Sequence, residues 1–89
     1  MNQKQEIFIS VDIETAGPIV SEHSMLTLGA CLVYQPEIEF LMTLKPISDQ
    51  AVDAALKISG LTLQQAQADG LAPEEAMAQF ATWIANNLP

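Results

Sequence analysis

Hydrophobic and polar positions follow different periods in the two halves of this chain. Within residues 7–14, isoleucine or valine occupies every second position, a period of two that is typical of a β-strand. Apolar stretches with β-branched and aromatic members predict two more strands, over about 25–34 and 38–45. We expect these two strands to form a hairpin, with a tight turn at residues 35–37.

The second half of the chain carries helix signals instead. Ser48 and Thr62 are candidate caps for helices over about 48–57 and 62–69, and a longer helix is predicted over about 73–87. Along the longer helix, apolar side chains recur at helical spacing, at Met77, Phe80, Ile84 and Leu88. The pattern predicts one small domain over the whole 89-residue chain. Its fold class is α/β, and α+β within this span, with three antiparallel strands followed by helices.

Acidic residues far outnumber basic residues, and the formal net charge is −8. Lys4, Lys45 and Lys57 are the cationic side chains, and the chain has no arginine. This balance argues against a basic patch that binds nucleic acid through its phosphates, and against binding to an anionic membrane surface. If the substrate is an anion, a metal cation must mediate the contact.

Composition narrows the class of protein further. Hydrophobic residues make up 49% of the chain, which is too many for a disordered protein. No apolar run approaches the roughly 20 residues that span a bilayer. Cys31 is the single cysteine, so neither a disulfide framework nor a zinc knuckle is expected. The polar start of the chain is unlike a signal peptide, and we expect a cytoplasmic protein without a membrane segment.

Asp12 and Glu14 interrupt the apolar pattern at the end of the first strand. Residues two apart on a strand face the same way, with Cα atoms about 6.5–7 Å apart, so these carboxylates can converge on one cation. A buried carboxylate is costly unless something neutralises it, and Mg²⁺ and Mn²⁺ prefer oxygen ligands. One interpretation is a divalent metal site. The other is a pair of solvated acids in an α+β domain with a chance Asp-x-Glu.

Residues 8–33 resemble the first motif of the DEDD superfamily of 3′–5′ exonucleases. That superfamily includes RNase T, oligoribonuclease and the proofreading subunit of bacterial DNA polymerase III. The resemblance consists of an apolar strand, Asp-x-Glu-Thr, a glycine shortly after, and a serine-containing loop before an apolar strand with a glycine. Residues 55–62 (ALKISGLT) and 72–84 (APEEAMAQFATWI) are similar to a later family segment and to the helix that follows it.

The resemblance implies an incomplete ribonuclease H-like fold that carries a metal site. Asp12 and Glu14 would be its catalytic metal ligands, in a two-metal site that holds Mg²⁺ or Mn²⁺ in a complete member. The implied reaction is phosphodiester hydrolysis from the 3′ end of single-stranded DNA or RNA. An acidic protein suits this chemistry, because metal ions rather than lysines meet the phosphate.

The resemblance also implies which residues meet the substrate. The backbone of Thr15, Ala16 and Gly17 would lie against the terminal nucleotide, and glycine permits a close approach. Leu61 matches a residue that wedges against the terminal bases in some members, although ordinary core packing is the alternative for this side chain.

Two further family motifs, an Asp on a helix and a His followed by a last Asp, have no counterpart in this sequence. Asp49, Asp53 and Asp69 lie on the wrong elements to replace them, and His23 is predicted to be an exposed loop residue. Ser59 stands where many members have histidine. We therefore expect the N-terminal part of an exonuclease domain that alone hydrolyses nucleic acid weakly or not at all.

The family places a fourth strand beside the first, and none is predicted here. The strand at residues 7–13 is therefore expected to keep a bare apolar edge, which invites pairing with a second copy or a complementing chain. A second interpretation of the whole sequence follows from this edge. It is a catalytically inactive relic of the fold that self-associates or serves as a subunit.

Overall fold

The computed structural model describes residues 6–88, in which three β-strands precede three α-helices. The strands form one antiparallel sheet in the order β1-β2-β3. The strand bounds are β1 (Ile9–Thr15), β2 (Met25–Leu32) and β3 (Gln35–Thr43). The helix bounds are α1 (Asp53–Ser59), α2 (Leu63–Asp69) and α3 (Pro73–Asn86). The expected α+β arrangement of antiparallel strands followed by helices is confirmed.

The two faces of the sheet are covered differently. On one face, here called the core face, alternate residues of β2 are buried, and Leu28 packs in a cluster with Leu44 and Ala76 of α3. The opposite face, here called the open face, contributes no residue to either hydrophobic core. The open face consists of Ser10, Asp12, Glu14, Thr27, Gly29, Cys31, Glu39, Leu41 and Thr43.

The hairpin turn lies earlier than the sequence predicts. Leu32 pairs with Gln35, so the two residues between them form the turn, and the predicted turn at residues 35–37 is wrong. Those residues instead begin β3, an edge strand, where proline at position 36 is tolerated. An irregular register at the end of β2 absorbs the offset.

The first helix begins at Asp53, and the predicted start at Ser48 is wrong. The Ser48 hydroxyl donates to the Glu22 carbonyl oxygen (2.6 Å) and accepts from the Gln50 N–H (3.2 Å). A serine side chain that bonds to nearby backbone in this way competes with helix formation. The segment therefore remains non-helical up to Val52, which precedes the helix and provides no side-chain cap.

The other two helix starts agree with the sequence signals. Thr62 caps α2 in a capping box, in which its hydroxyl accepts from the Gln65 N–H (3.0 Å). In return, the Thr62 N–H donates to Gln65 Oε1 (2.9 Å). Pro73 stands in the first turn of α3, before two glutamates whose charges suit the N-terminal end of the helix dipole.

The end of β1 is attached to the rest of the fold by backbone hydrogen bonds. The Ala16 N–H donates to the Ser24 carbonyl oxygen (2.8 Å), and the Val52 N–H donates to the Ala16 carbonyl oxygen (2.7 Å). Ala16 is fully buried in a cluster with Leu26 and Ala66. These contacts fix the end of the strand that carries the two acids. In the described part of the chain, no helix is long and apolar enough to cross a bilayer.

Candidate metal centre

Asp12 and Glu14 lie on the open face of the sheet, at successive positions of β1 on that face. Asp12 is opposite Gly29 of β2, and Glu14 is opposite Thr27. Gly29 is in turn opposite Leu41 of β3. The two acids therefore project from one side of the strand, as the period of two predicts, with Cα atoms about 6.5–7 Å apart.

A groove of about 360 Å³ runs along the open face beside the two carboxylates. Thr27, Gly29 and Leu41 contribute to its walls, so all three strands take part. Glycine at position 29 allows the Leu41 side chain to approach closely, because a Cβ atom there would lie 3.3 Å from Leu41 Cδ2. The groove thus combines acidic oxygens with a small open volume next to them.

The two carboxylates differ in their exposure to solvent. Asp12 is exposed, whereas Glu14 is half-buried. The expectation of a buried acid that needs neutralisation is therefore wrong for Asp12, because among residues 6–88 neither hydrophobic core includes a residue of this face. Water stabilises an exposed carboxylate, so burial alone does not demand a metal at this position.

The donor set suits a hard divalent cation but is small. Mg²⁺ and Mn²⁺ take oxygen ligands, and Mg²⁺ keeps several waters, so two carboxylates fit one side of its coordination shell. Among residues 6–88, no third histidine, cysteine, aspartate or glutamate joins Asp12 and Glu14 in a cluster. We expect the pair alone to bind a cation weakly.

The loop after β1 is organised around His23. Its ring packs against Gly17, where a Cβ atom would lie 2.6 Å from ring atoms. The Ile19 N–H donates to His23 Nδ1 (3.0 Å), and the Thr15 hydroxyl donates to the Gly17 carbonyl oxygen (2.9 Å). His23 lies in a loop, as predicted, but the prediction that it is exposed is wrong, because its half-buried ring covers the Gly17 backbone. The nucleotide contact expected for Thr15, Ala16 and Gly17 stays a prediction.

Leu61 is not among the residues that line the groove. It is partly buried and packs against the core cluster around Ala16. The neighbouring Ser59 hydroxyl donates to the Leu56 carbonyl oxygen (2.9 Å) and accepts from the Leu61 N–H (3.2 Å). These contacts give both residues a structural part in the turn after α1, and the proposed wedge role of Leu61 stays a prediction.

Sequence reasoning missed the part of the groove that β2 and β3 supply. Thr27, Leu41 and Thr43 carry no motif that sets them apart in the sequence, and Gly29 is noticed only as the glycine of the second strand in the resemblance. The signal that could have found them is the hairpin register, because residues opposite an acid in a ladder share its face. The misplaced turn conceals this signal for β3.

Comparison with known proteins places these observations in a family context. No protein-family model matches the chain. The 3′–5′ DNA exonuclease Cap18 of Escherichia coli is 48% identical to it over 84 residues. The match covers 94% of this chain and 45% of Cap18, so the chain spans less than half the length of this relative. The resemblance to 3′–5′ exonucleases is thereby confirmed, and over nearly its whole length this chain is a homologue of part of a 3′–5′ exonuclease.

Proposed function

We propose that this chain supplies the first pair of metal ligands of a metal-dependent 3′–5′ exonuclease of the DEDD type. Its fold would be an incomplete ribonuclease H-like fold. One observation carries the proposal: Asp12 and Glu14 share a groove on one face of β1 in a homologue of a 3′–5′ DNA exonuclease. The proposed substrate is the 3′ end of single-stranded DNA, because the relative is named for DNA.

In this proposal Asp12 and Glu14 hold Mg²⁺ or Mn²⁺ through carboxylate oxygens, with waters in the remaining positions. When bound, such cations supply a nucleophilic water and stabilise charge on the leaving 3′ oxygen. The protein residues provide orientation. The β1–β2 ladder holds both acids at fixed positions beside the groove, and Gly29 adds no side chain to it. The backbone from Thr15 to Gly17 would contact the terminal nucleotide.

The acidity of the chain fits a cation-mediated contact with DNA. With a net charge of −8, the protein repels phosphates at long range, so its affinity for a DNA end would depend on the bound cation. Two carboxylates are also too few for a complete two-metal site. We therefore propose that this chain alone hydrolyses DNA slowly or not at all, and that further ligands complete the active site.

A second candidate function is that of a non-catalytic subunit that retains the fold. Its support is that, within the described residues, only two acidic side chains meet in the groove. The two candidates differ in what they require of the carboxylates. The exonuclease proposal requires that Asp12 and Glu14 bind a divalent cation. The non-catalytic subunit does not require cation binding at these two residues.

Isothermal titration of Mn²⁺ into the chain distinguishes the two candidates, with Asp12→Asn and Glu39→Gln as matched variants. Each substitution replaces a carboxylate of the open face by its amide, so both change the net charge equally. Glu39 is on β3, opposite Cys31, and does not line the groove. The comparison therefore separates a specific site from general attraction of cations to an acidic protein.

We expect saturable Mn²⁺ binding by the parent chain and by Glu39→Gln. Asp12→Asn is expected to bind at least about tenfold more weakly, because even outer-shell partners of a metal typically contribute about that much. Equal binding by all three proteins would contradict the proposed site. Absence of binding in the parent would favour the non-catalytic subunit.

A further inference from the structure

The free edge of β1 presents a row of outward-facing backbone groups. The Val33 N–H donates to the Phe8 carbonyl oxygen (2.9 Å), which makes these residues a hydrogen-bonded pair of the β1–β2 ladder. Hydrogen-bonded and non-hydrogen-bonded pairs alternate in an antiparallel ladder, so Ile9, Val11 and Ile13 turn their N–H and C=O groups away from β2. Among the described residues, no strand pairs with that side.

The two edge strands of the sheet are protected to different degrees. β3 has Pro36 near its start, and proline discourages further pairing because it lacks an N–H. Each edge strand carries two acids and one irregularity in its register with β2, but β1 contains neither proline nor lysine. Its Val11 and Ile13 side chains are 52% and 44% exposed. The edge of β1 is thus open to a further strand, whereas the edge of β3 is guarded.

The sequence of β1 is complementary to itself when a second copy runs antiparallel to it about Val11. In that register Val11 faces Val11 of the second copy, and Ile9 faces Ile13, so the outward-facing groups of these three residues pair with one another. Asp12 then faces Ser10 of the second copy, whose hydroxyl can donate to the carboxylate.

A neighbouring register is much less favourable. If the two strands shift so that Val11 faces Ile13 of the second copy, the outward groups still pair. However, each Asp12 then lies directly opposite Asp12 of the other copy, and like charges directly opposite each other destabilise a ladder. Repulsion between the two aspartates therefore disfavours this register relative to the one centred on Val11.

We propose that this chain forms a two-fold symmetric dimer by antiparallel pairing of β1 with β1 of a second copy, centred on Val11. The two sheets would join into one six-stranded sheet, and the exposed Val11 and Ile13 side chains would contact their counterparts on the core face. The net charge of −8 on each copy opposes association, so added salt is expected to strengthen the dimer. The pairing rests on the backbone groups of Ile9, Val11 and Ile13, and the proposed metal site rests on the carboxylates of Asp12 and Glu14, so Val11→Pro and Asp12→Asn test the two proposals separately.

Analytical ultracentrifugation of the full chain over a range of protein and salt concentrations tests the dimer, with Val11→Pro and Leu41→Pro as matched variants. The Leu44 N–H donates to the Leu26 carbonyl oxygen (2.9 Å), so these two residues form a hydrogen-bonded pair of the β2–β3 ladder. Hydrogen-bonded and non-hydrogen-bonded pairs alternate along the ladder, so the Leu41 N–H points away from β2. Each variant thus removes one outward N–H from an edge strand and leaves the ladder within the chain intact.

We expect the parent and Leu41→Pro to sediment with twice the 9.6 kDa mass of one chain. Val11→Pro is expected to weaken the dimer by at least about tenfold, because two central hydrogen bonds are lost. A parent that is monomeric under all conditions would overturn the proposal. So would a dimer that survives Val11→Pro, or one that both variants abolish.

Amide hydrogen exchange of the parent chain gives a second test that does not depend on the folding of a variant. The amides of Ile9, Val11 and Ile13 are expected to exchange slowly at high protein concentration and fast on dilution. Fast exchange of these three amides at every concentration would overturn the proposed pairing.

Discussion

Asp12 lies directly opposite Gly29 in the β1–β2 ladder, so its cross-strand partner contributes no side chain to the groove. A Cβ atom at Gly29 would have only two neighbours within 4 Å, Leu41 Cδ2 at 3.3 Å and the Asp12 carbonyl oxygen at 3.8 Å. A methyl group fits at this position only when the end of the Leu41 side chain moves by a few tenths of an ångström. The glycine therefore keeps the groove open and is not required for the strands to pair.

Gly29→Ala is expected to leave the free energy of unfolding within about 1 kcal/mol of the parent. Leu41 is 69% exposed and its terminal methyl can move, while alanine restricts the unfolded chain. Urea denaturation followed by circular dichroism measures the effect. A loss well above this value would mean that Gly29 is needed for the fold itself.

Gly17→Ala is expected to behave differently and to lower the free energy of unfolding by about 1–3 kcal/mol. The new methyl group would overlap the His23 ring, because a Cβ atom on this backbone would lie 2.6 Å from the nearest ring atoms. His23→Ala removes the overlapping ring. The double variant is therefore expected to lose less free energy of unfolding than the sum of the losses of the two single variants. Strict additivity in urea denaturation would contradict this contact.

Asp12→Asn and Glu14→Gln are expected to leave the free energy of unfolding within about 0.5 kcal/mol of the parent. Asp12 is exposed and Glu14 is only half-buried, and each change reduces an excess of negative charge. Thermal unfolding in the absence of divalent metal tests this. A large loss of stability would assign the carboxylates to the fold and leave less reason to propose a site.

Thr62→Ala is expected to lower the free energy of unfolding by about 1 kcal/mol, because the capping box of α2 loses its hydroxyl. Thr82→Ala on α3 is the control. The Thr82 hydroxyl donates back to the Ala78 carbonyl oxygen (3.1 Å) on an exposed face, so its removal should change stability by less than about 0.5 kcal/mol. The reverse ranking would contradict the assignment of the cap.

The sequence predicts the elements of the fold where local signals are strong. The alternation of apolar residues in β1 predicts both the strand and the shared face of Asp12 and Glu14. The capping residue Thr62 correctly predicts the start of α2. The predictions of the hairpin turn and of the start of α1 are wrong because both relied on local residue preferences. Proline is common at turns and serine at helix caps. Here, however, Pro36 lies on the edge strand β3, and Ser48 bonds to the backbone of Glu22.

Less of the candidate site follows from the sequence, because it depends on long-range register. A turn at residues 35–37 would shift β3 along β2 and place Thr43, rather than Leu41, opposite Gly29. His23 shows the same limitation, since its packing on Gly17 depends on the path of the loop. The exposure of Asp12 is also beyond a local pattern, because alternation separates the two faces of a strand but does not say which face the helices cover.

Paramagnetic broadening by Mn²⁺ in two-dimensional NMR spectra of the chain tests whether Asp12 and Glu14 form a metal site. We expect substoichiometric Mn²⁺ to broaden first the amides around the groove, those of Asp12, Glu14, Thr27 and Gly29, and Asp12→Asn to remove this effect. Broadening that begins instead at other acidic positions, such as Glu74 and Glu75 of α3, would contradict the assignment of a metal site to Asp12 and Glu14.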